Sequence, residues 1–293
     1  MKRISIFFLI LISLSSNINA EDNNEFLKWK RDFKDLALAR GISENTFDIV
    51  MKDVKFLPKV IEYDRYQPEF YEDTKTYVSK RTSKKKVKSG INFYKENVEL
   101  INGIEKKYNI EKELLLSLMG IETNYGTYVG KMDILSSLST LSFDKRRSEF
   151  FTNELLILLN LIDTKQIDHK TLFGSWAGAF GFFQFMPSTI KNHAIDHNQD
   201  NYIDLKNPKD AYASASNYLQ NMGWNQNSHC FYKINLNEKI SKKYLNVSAK
   251  KLNNKKKLKY FKKYISNYES LSFIDQNLKV AIITPDKDII PNA

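Results

Sequence analysis

Residues 110–123 constrain this chain more than any other stretch. Leu114, Leu115, Leu116, Leu118, Met119 and Ile121 cover more than one face of a helix, and a helix of that kind belongs in an interior. Asn109 is placed to cap it, and Glu111 and Glu113 suit the positive end of its dipole. Asn124-Tyr125-Gly126 then ends it. Glu122 closes this helix, with Leu118, Met119 and Ile121 on the near turns. A carboxyl group in such surroundings resists ionisation, so its pKa is expected to rise. That is the property of a general acid working near neutral pH. The alternative is a glutamate that caps a backbone group or pairs with a lysine.

The rest of the chain reads as mainly helical. Phe26, Trp29, Phe33, Leu36 and Leu38 recur at helical spacing within 25–57, broken at Gly41-Ile42-Ser43, where Ser43 can cap the next helix. The polar segment 63–90, ending in Ser83-Lys84-Lys85-Lys86, reads as a solvated face or loop, with a helix expected over about 92–107. Further helices are expected over 148–162, from Pro187, and over about 208–222 between Asn207 and Gly223. A glycine-rich turn occupies 174–181, and its glycines let backbone approach a neighbour closely. Past residue 231 short strand-like pieces alternate with a lysine-rich stretch, 250–263, and Val280–Ile283 reads as a strand ended by Pro285-Asp286.

The first twenty residues have the layout of a secretory signal. Lys2 and Arg3 precede an apolar run from Ile4 to Leu14, and small polar residues lead to Ala20, the expected cleavage point. The run is short for a permanent membrane anchor, and no cysteine stands near Ala20 for lipid attachment. The sole cysteine, Cys230, cannot form an internal disulfide and reads as a small packing residue. The net charge of +11 becomes +9 without the leader, 43 basic residues against 34 acidic. Such an excess suits anionic partners, or is simply a solvated lysine surface. An exported protein meets cell-wall polymers and membrane phosphates rather than nucleic acid.

Several motifs follow the glutamate in order. Gly120-Ile121-Glu122-Thr123-Asn124-Tyr125-Gly126 precedes Leu138-Ser139-Thr140-Leu141-Ser142-Phe143-Asp144, Arg146-Arg147 and Phe150-Phe151. Gly174-Ser175-Trp176-Ala177-Gly178-Ala179-Phe180-Gly181 runs into Gln184-Phe185-Met186-Pro187-Ser188, followed by Ala194-Ile195-Asp196, Asp210-Ala211, Asn217-Tyr218-Leu219 and Gly223-Trp224. This ordered series resembles the lytic murein transglycosylase B family, clearly over about 25–225 and loosely over 226–285. Tyr63 to Phe70 is close to the family's pattern as well.

The resemblance implies a mainly α (α+β), lysozyme-like catalytic core. The domains it implies are a signal peptide at 1–20, a helical N-terminal part at 21–109, the core at 110–225 and a short C-terminal part at 226–293 with a small β element. It implies cleavage of the β-1,4 bond between N-acetylmuramic acid and N-acetylglucosamine in periplasmic peptidoglycan, leaving a 1,6-anhydro ring. Glu122 matches the one catalytic acid and base. Ser175, Gln184 and Tyr218 match cleft positions, Arg146 and Arg147 a basic pair suited to the substrate's carboxylates, and Phe150 an aromatic that stacks on sugar; Tyr77 is a further cleft candidate.

The family carries an EF-hand-like loop at the position of 196–210. By position its calcium ligands are Asp196, Asn198, Asp200, the carbonyl of Tyr202, and Asp210. Asn201 stands where such loops use glycine, and Asp210 comes late for a twelve-residue loop. The resemblance implies no catalytic cofactor, at most one structural Ca2+, a monomer, and peptidoglycan strands as partner, with other cell-wall enzymes open. Relatives also carry a tyrosine-containing segment past a turn like Pro285-Asp286, for which the sequence up to Ala293 has no counterpart. A hydrolytic muramidase and an inactive peptidoglycan-binding protein remain the alternative readings.

Overall fold

The structure is a computed structural model that describes residues 22–66, 73–226, 231–237, 239–249 and 251–284. The expected leader, Cys230 and Pro285-Asp286 lie outside the described residues. The chain divides into two compact units, one of residues 1–67 with 83–226 and one of 68–82 with 227–293. The second boundary, 226/227, coincides with the end of the recognisable motifs. The excursion of 68–82 into the second unit has no counterpart in the sequence pattern.

The first unit is built of helices. They are α1 (22–39), α2 (Glu44–Met51), α3 (Pro58–Arg65), α5 (Lys84–Glu96), α6 (Val98–Tyr108), α7 (Lys112–Thr123), α8 (Ile134–Phe143), α9 (Ser148–Asp163), α10 (Pro187–His193) and α11 (Pro208–Asn221). The helix α4 (Thr74–Arg81) belongs to the second unit. Helix α1 buries Phe26, Phe33 and Ala37, with Trp29 stacked on both phenylalanine rings; Leu36, expected inside, faces solvent. Ser43 caps α2 through the Thr46 amide, as expected.

The polar run is helical after all. Ser83 accepts a hydrogen bond from the Lys86 amide and starts α5 directly on the three lysines. A good cap and long-stemmed lysines, which are sound helix formers, outweigh the unfavourable placing of positive charge at a helix start. The helix expected over 92–107 is interrupted at Asn97, which separates α5 from α6. Asn109 does not cap α7. It closes α6 in the left-handed region at φ 57°, so α7 starts at Glu111 without a side-chain cap.

Helix α8 is buried from Ile134 to Ser142 and lies against α9. Its hydroxyls serve the preceding chain: Ser136 accepts from the Lys55 amide at 3.0 Å and Thr140 from the Leu57 amide at 3.0 Å. Buried Glu154 on α9 accepts from the amide and the hydroxyl of Ser188 and so holds the first turn of α10. Two-residue strands β1 (Met132–Asp133) and β2 (Phe173–Gly174) pair antiparallel and lead into the glycine-rich turn. At Gly174 a Cβ would fall 2.2 Å from the Ala179 carbonyl oxygen, which is the close approach that the turn's glycines permit.

The second unit has its own small core of Tyr244, Leu258, Phe261, Ile265, Tyr268, Leu271 and Ile282. Strands β3 (Leu245–Asn246) and β6 (Ile282–Ile283) pair parallel, and β4 (Lys256–Lys257) pairs antiparallel with β5 (Lys279–Val280). The expected strand at 280–283 is therefore two short pieces that pair with different partners.

Candidate active site

Helix α7 is less enclosed than its composition suggests. Leu115, Met119, Gly120 and Thr123 are buried, whereas Ile121 is 44% exposed and Leu118 is half-buried. Leu114, Leu116 and Leu118 are only partly buried against the core, and Leu118 also lines a cleft. Leu118 and Glu122 form one wall of a space of about 250 Å³, with Phe183, Gln184, Phe185, Met186, Thr189, Ala215, Tyr218 and Leu219 around it.

Glu122 projects into this cleft. As a residue it is exposed, yet the atoms packed beside its carboxyl remove enough water to raise its pKa above the usual carboxylate value. Among the described residues no hydrogen bond or ion pair reaches the carboxylate, which sets aside the capping and lysine-pairing alternatives there. Glu122 is also the one acidic residue among those lining the cleft.

The turn after α7 explains how this wall is held. Asn124, Tyr125 and Gly126 have φ values of 50°, 59° and 78°. Two successive non-glycine residues in the left-handed region are strained, and such strain collects at functional sites. The turn sends the Tyr125 ring back between α5 and α7. A Cβ at Gly90 would lie 2.4 Å from the Tyr125 hydroxyl oxygen and one at Gly120 2.6 Å from it, so both helices need glycine there. Phe93 stacks near Tyr125 and Tyr212, and burial pushes both phenol pKa values up. Buried Thr123 donates its hydroxyl to the Phe182 carbonyl at 2.9 Å and accepts from the Gly126 amide at 3.1 Å. It ties the end of the Glu122 helix to the 182–185 segment opposite. Thr123, Tyr125 and Gly90 are positioning residues that the sequence reading did not single out; Gly90, far away in sequence, carries no signal by itself.

The other expected site residues divide. Gln184 and Tyr218 join Glu122 in the cleft. Gln184 has φ 49° and gives its amide nitrogen to the carbonyls of Gly181 at 2.8 Å and Val129 at 3.3 Å. Its side-chain oxygen is thus the group it can offer a ligand. The Tyr218 ring lies between Phe185, 5.6 Å away, and His193, 5.2 Å away, and its hydroxyl has no partner among the described residues. Ser175 does not line this cleft. Its hydroxyl accepts from the Ala179 amide at 3.1 Å and closes the glycine-rich turn. Arg146 and Arg147 are not a free basic pair: both guanidinium groups bind the buried carboxylate of Asp64, and Arg147 also lies over the Phe151 ring. Phe150 is 48% exposed, edge-on to buried Phe151. Tyr77 lies on α4 in the second unit, under the Arg81 guanidinium at 3.7 Å.

The loop after α10 takes the expected left-handed turn, with Asn201 at φ 71°. Its acceptors, however, are turned to backbone. Asp196 accepts from the amides of Gln199, Asp200 and Asn201, and buried Asp210 from those of His197, Asn198 and Asp204. Asn198 donates to Asp200 at 2.7 Å, and Asp200 accepts from the Tyr202 amide. Among the described residues no group of three or more Asp, Glu, His or Cys side chains is placed to hold a metal ion; in this loop the carboxylates satisfy backbone amides that a tight turn would otherwise leave without partners.

The fold is a mainly α, lysozyme-like unit, and its cleft holds a single carboxylic acid without a partner among the described residues. The family described as "Transglycosylase SLT domain" matches residues 25–289, and the chain belongs to it. Membrane-bound lytic murein transglycosylase B of Escherichia coli (strain K12) is 39% identical over 139 residues, 47% of this chain and 38% of its own. SltB3 from Pseudomonas aeruginosa, solved in complex with NAG-NAM-pentapeptide, superposes with a TM-score of 0.73 at 30% identity, over 80% of this chain and 62% of its own. Escherichia coli Slt35, solved in complex with calcium, gives a TM-score of 0.62 at 31% identity, over 68% of this chain and 64% of its own. The chain thus spans less than two thirds of the length of these relatives.

Proposed function

We propose that this protein is an exported lytic transglycosylase that cleaves the β-1,4 bond between N-acetylmuramic acid and N-acetylglucosamine in peptidoglycan. The observation that carries the proposal is Glu122: a carboxyl group with a raised pKa, without a partner among the described residues, and without a second acid in its cleft. Glycosidases of the usual kind need two carboxylates, one as acid and one as base or nucleophile. One carboxylate suffices when the substrate supplies its own nucleophile. Protonated Glu122 gives its proton to the leaving 4-oxygen as the glycosidic bond breaks. The carboxylate then takes the proton of the muramic 6-hydroxyl as that oxygen closes on the anomeric carbon. Glu122 ends as it began, no water is consumed, and a 1,6-anhydro ring remains.

The side chains around it suit a sugar. Leu118, Phe183, Phe185, Met186 and Leu219 offer apolar surface to its faces, the Gln184 oxygen accepts from a hydroxyl or N-acetyl amide, and the Tyr218 hydroxyl is available to a second polar group. The guanidinium donors that Arg146 and Arg147 do not spend on Asp64 are assigned to substrate carboxylates, and the exposed Phe150 ring to stacking. Ser175 is assigned to shaping the turn, and Tyr77, in the second unit, is assigned no contact in this cleft. The complex of SltB3 with NAG-NAM-pentapeptide, and a second one with NAG-anhNAM-pentapeptide, support this choice of substrate and product.

Export to the periplasm rests on the layout of residues 1–20. No helix among the described residues is long and apolar enough to cross a membrane. A structural calcium ion in loop 196–210 rests on its oxygen-only donors and on the calcium complex of Slt35. A thermal midpoint that rises with calcium and not with magnesium supports it, and an unchanged midpoint assigns the loop to its own amides.

The test of the activity is digestion of purified peptidoglycan by residues 21–293 beside a Glu122→Gln control, read by mass spectrometry. Anhydro-muropeptides from the wild type, reduced about 100-fold or more in the variant, are expected. Hydrated reducing ends would instead establish a hydrolase, and no products with or without calcium a binding protein.

A further inference from the structure

Charge is distributed very unevenly along this chain. Residues 231–284 hold thirteen lysines, no arginine and three acidic residues, a net charge of +10 out of +11 for all 293 residues. The remainder is almost neutral. The described lysines of this segment are all exposed, and among the described residues only Lys262 has a carboxylate near its ammonium group, that of Glu269 at 3.8 Å.

Several of these lysines lie over tyrosine rings. Tyr244 and Tyr260 join hydroxyls at 2.7 Å, and Tyr264 packs beside Tyr260. Lys243 lies over the Tyr244 ring, Lys256 and Lys263 over that of Tyr260. Ammonium groups held over aromatic faces are kept at the surface by cation–π attraction. On the adjoining strand pair, Lys257 stands directly across from Lys279. Like charges at directly opposed positions destabilise a sheet. Such a placement is relieved when an anion lies over both. Leu278, 49% exposed, precedes Lys279 on the same edge, and Phe231 and Phe273 of this unit are each 70% exposed.

We propose that the second unit binds the anionic phospholipid surface of a membrane through its lysine face. The exclusive use of lysine is the discriminating feature. Arginine's planar fork recognises individual carboxylates, whereas lysine is a mobile point charge that responds to the field of a charged surface. Exposed apolar side chains beside lysines are the composition that settles at headgroup level. The inference concerns the second unit alone and does not depend on the glycan chemistry of the first.

The test is cosedimentation of residues 21–293 with vesicles, so that the apolar leader cannot contribute. One set is phosphatidylcholine alone and the other contains phosphatidylglycerol. Binding to the anionic set only is expected, and its loss in about 0.5 M salt, where the screening length falls to ~4 Å. Each lysine near an anionic surface multiplies partitioning by about 5-fold, so K257Q/K279Q should lower it about 25-fold. The same variant should melt no lower than the wild type, because it removes an opposed like-charge pair. Equal binding to both vesicle sets, no binding to the anionic set in low salt, or unchanged partitioning of K257Q/K279Q would overturn the proposal. Binding to isolated peptidoglycan sacculi without binding to vesicles would overturn it too, and assign the face to the wall polymer.

Discussion

Thr123 offers the sharpest test of how the Glu122 wall of the cleft is held. Its buried hydroxyl donates to the Phe182 carbonyl at 2.9 Å, with the Met119 carbonyl of its own helix at 3.2 Å, and accepts from the Gly126 amide. Thr123→Val keeps the shape and removes these bonds. The Phe182 carbonyl loses its partner inside the protein, and the Gly126 amide, half-buried, recovers part of its loss from water. With roughly 1–3 kcal/mol for each unsatisfied buried group, the variant should be less stable by about 2–4 kcal/mol. In a unit of this size that corresponds to a fall of about 4–16 °C in thermal midpoint. Thr123→Ser retains the hydroxyl and loses one methyl group, about 1 kcal/mol. Glycan release should fall in the valine variant by about 10-fold or more, because Glu122 is then free to shift against the Gln184 segment. Differential scanning calorimetry and product quantification read the two effects. A valine variant within a degree of wild type, or a serine variant equally damaged, would refute the reasoning.

Three further outcomes follow from the same geometry. Gly90→Ala drives a Cβ into the Tyr125 hydroxyl and should lower stability by about 1–3 kcal/mol; Gly103→Ala, in α6 with open space around it, should raise it by about 0.5–1 kcal/mol, and urea titration compares the two. Because burial raises the folded-state pKa of Glu122, its contribution to stability is fully present at pH values below the unfolded pKa and is lost as pH rises through the folded one. Glu122→Gln should therefore melt higher than wild type at pH 7, with a difference that shrinks toward pH 4; a constant difference would contradict this. Asp64→Asn leaves two guanidinium groups without their carboxylate, but both arginine side chains are about two fifths exposed and recover water. The loss should be about 1–3 kcal/mol, below the 3–5 kcal/mol of a fully buried pair, as measured by thermal unfolding.

Much of the site was legible along the chain because its signals are local. Glu122 was marked by its apolar neighbours, and those neighbours are within one helical turn. Asn201 in a left-handed turn and the start of α11 at Asn207-Pro208 were legible for the same reason: caps and turn residues act through backbone two or three positions away. For the polar run from Ser83 the sequence left a solvated face and a loop both open, because the two have similar composition, and the structure gives a capped helix with its lysines outward. Asn109 was assigned to the wrong helix because it stands between two of them, one residue after α6 ends and three before α7 begins.

By itself the sequence determined the mainly helical class, the order of the motifs and the excess of lysine, and it singled out Glu122 as the candidate acid. Tertiary structure alone decided which face of α7 is wall and which is core, because Leu118 and Leu115 are equivalent until a partner covers one of them. It also decided that Asp64 takes up Arg146 and Arg147, and that Gly90 makes room for Tyr125. Those are meetings between residues more than thirty positions apart, whose energies depend on distance and water exclusion rather than on sequence neighbours. The division of charge between two units belongs to both: its sign is composition, but only folding turns a lysine-rich stretch into a face.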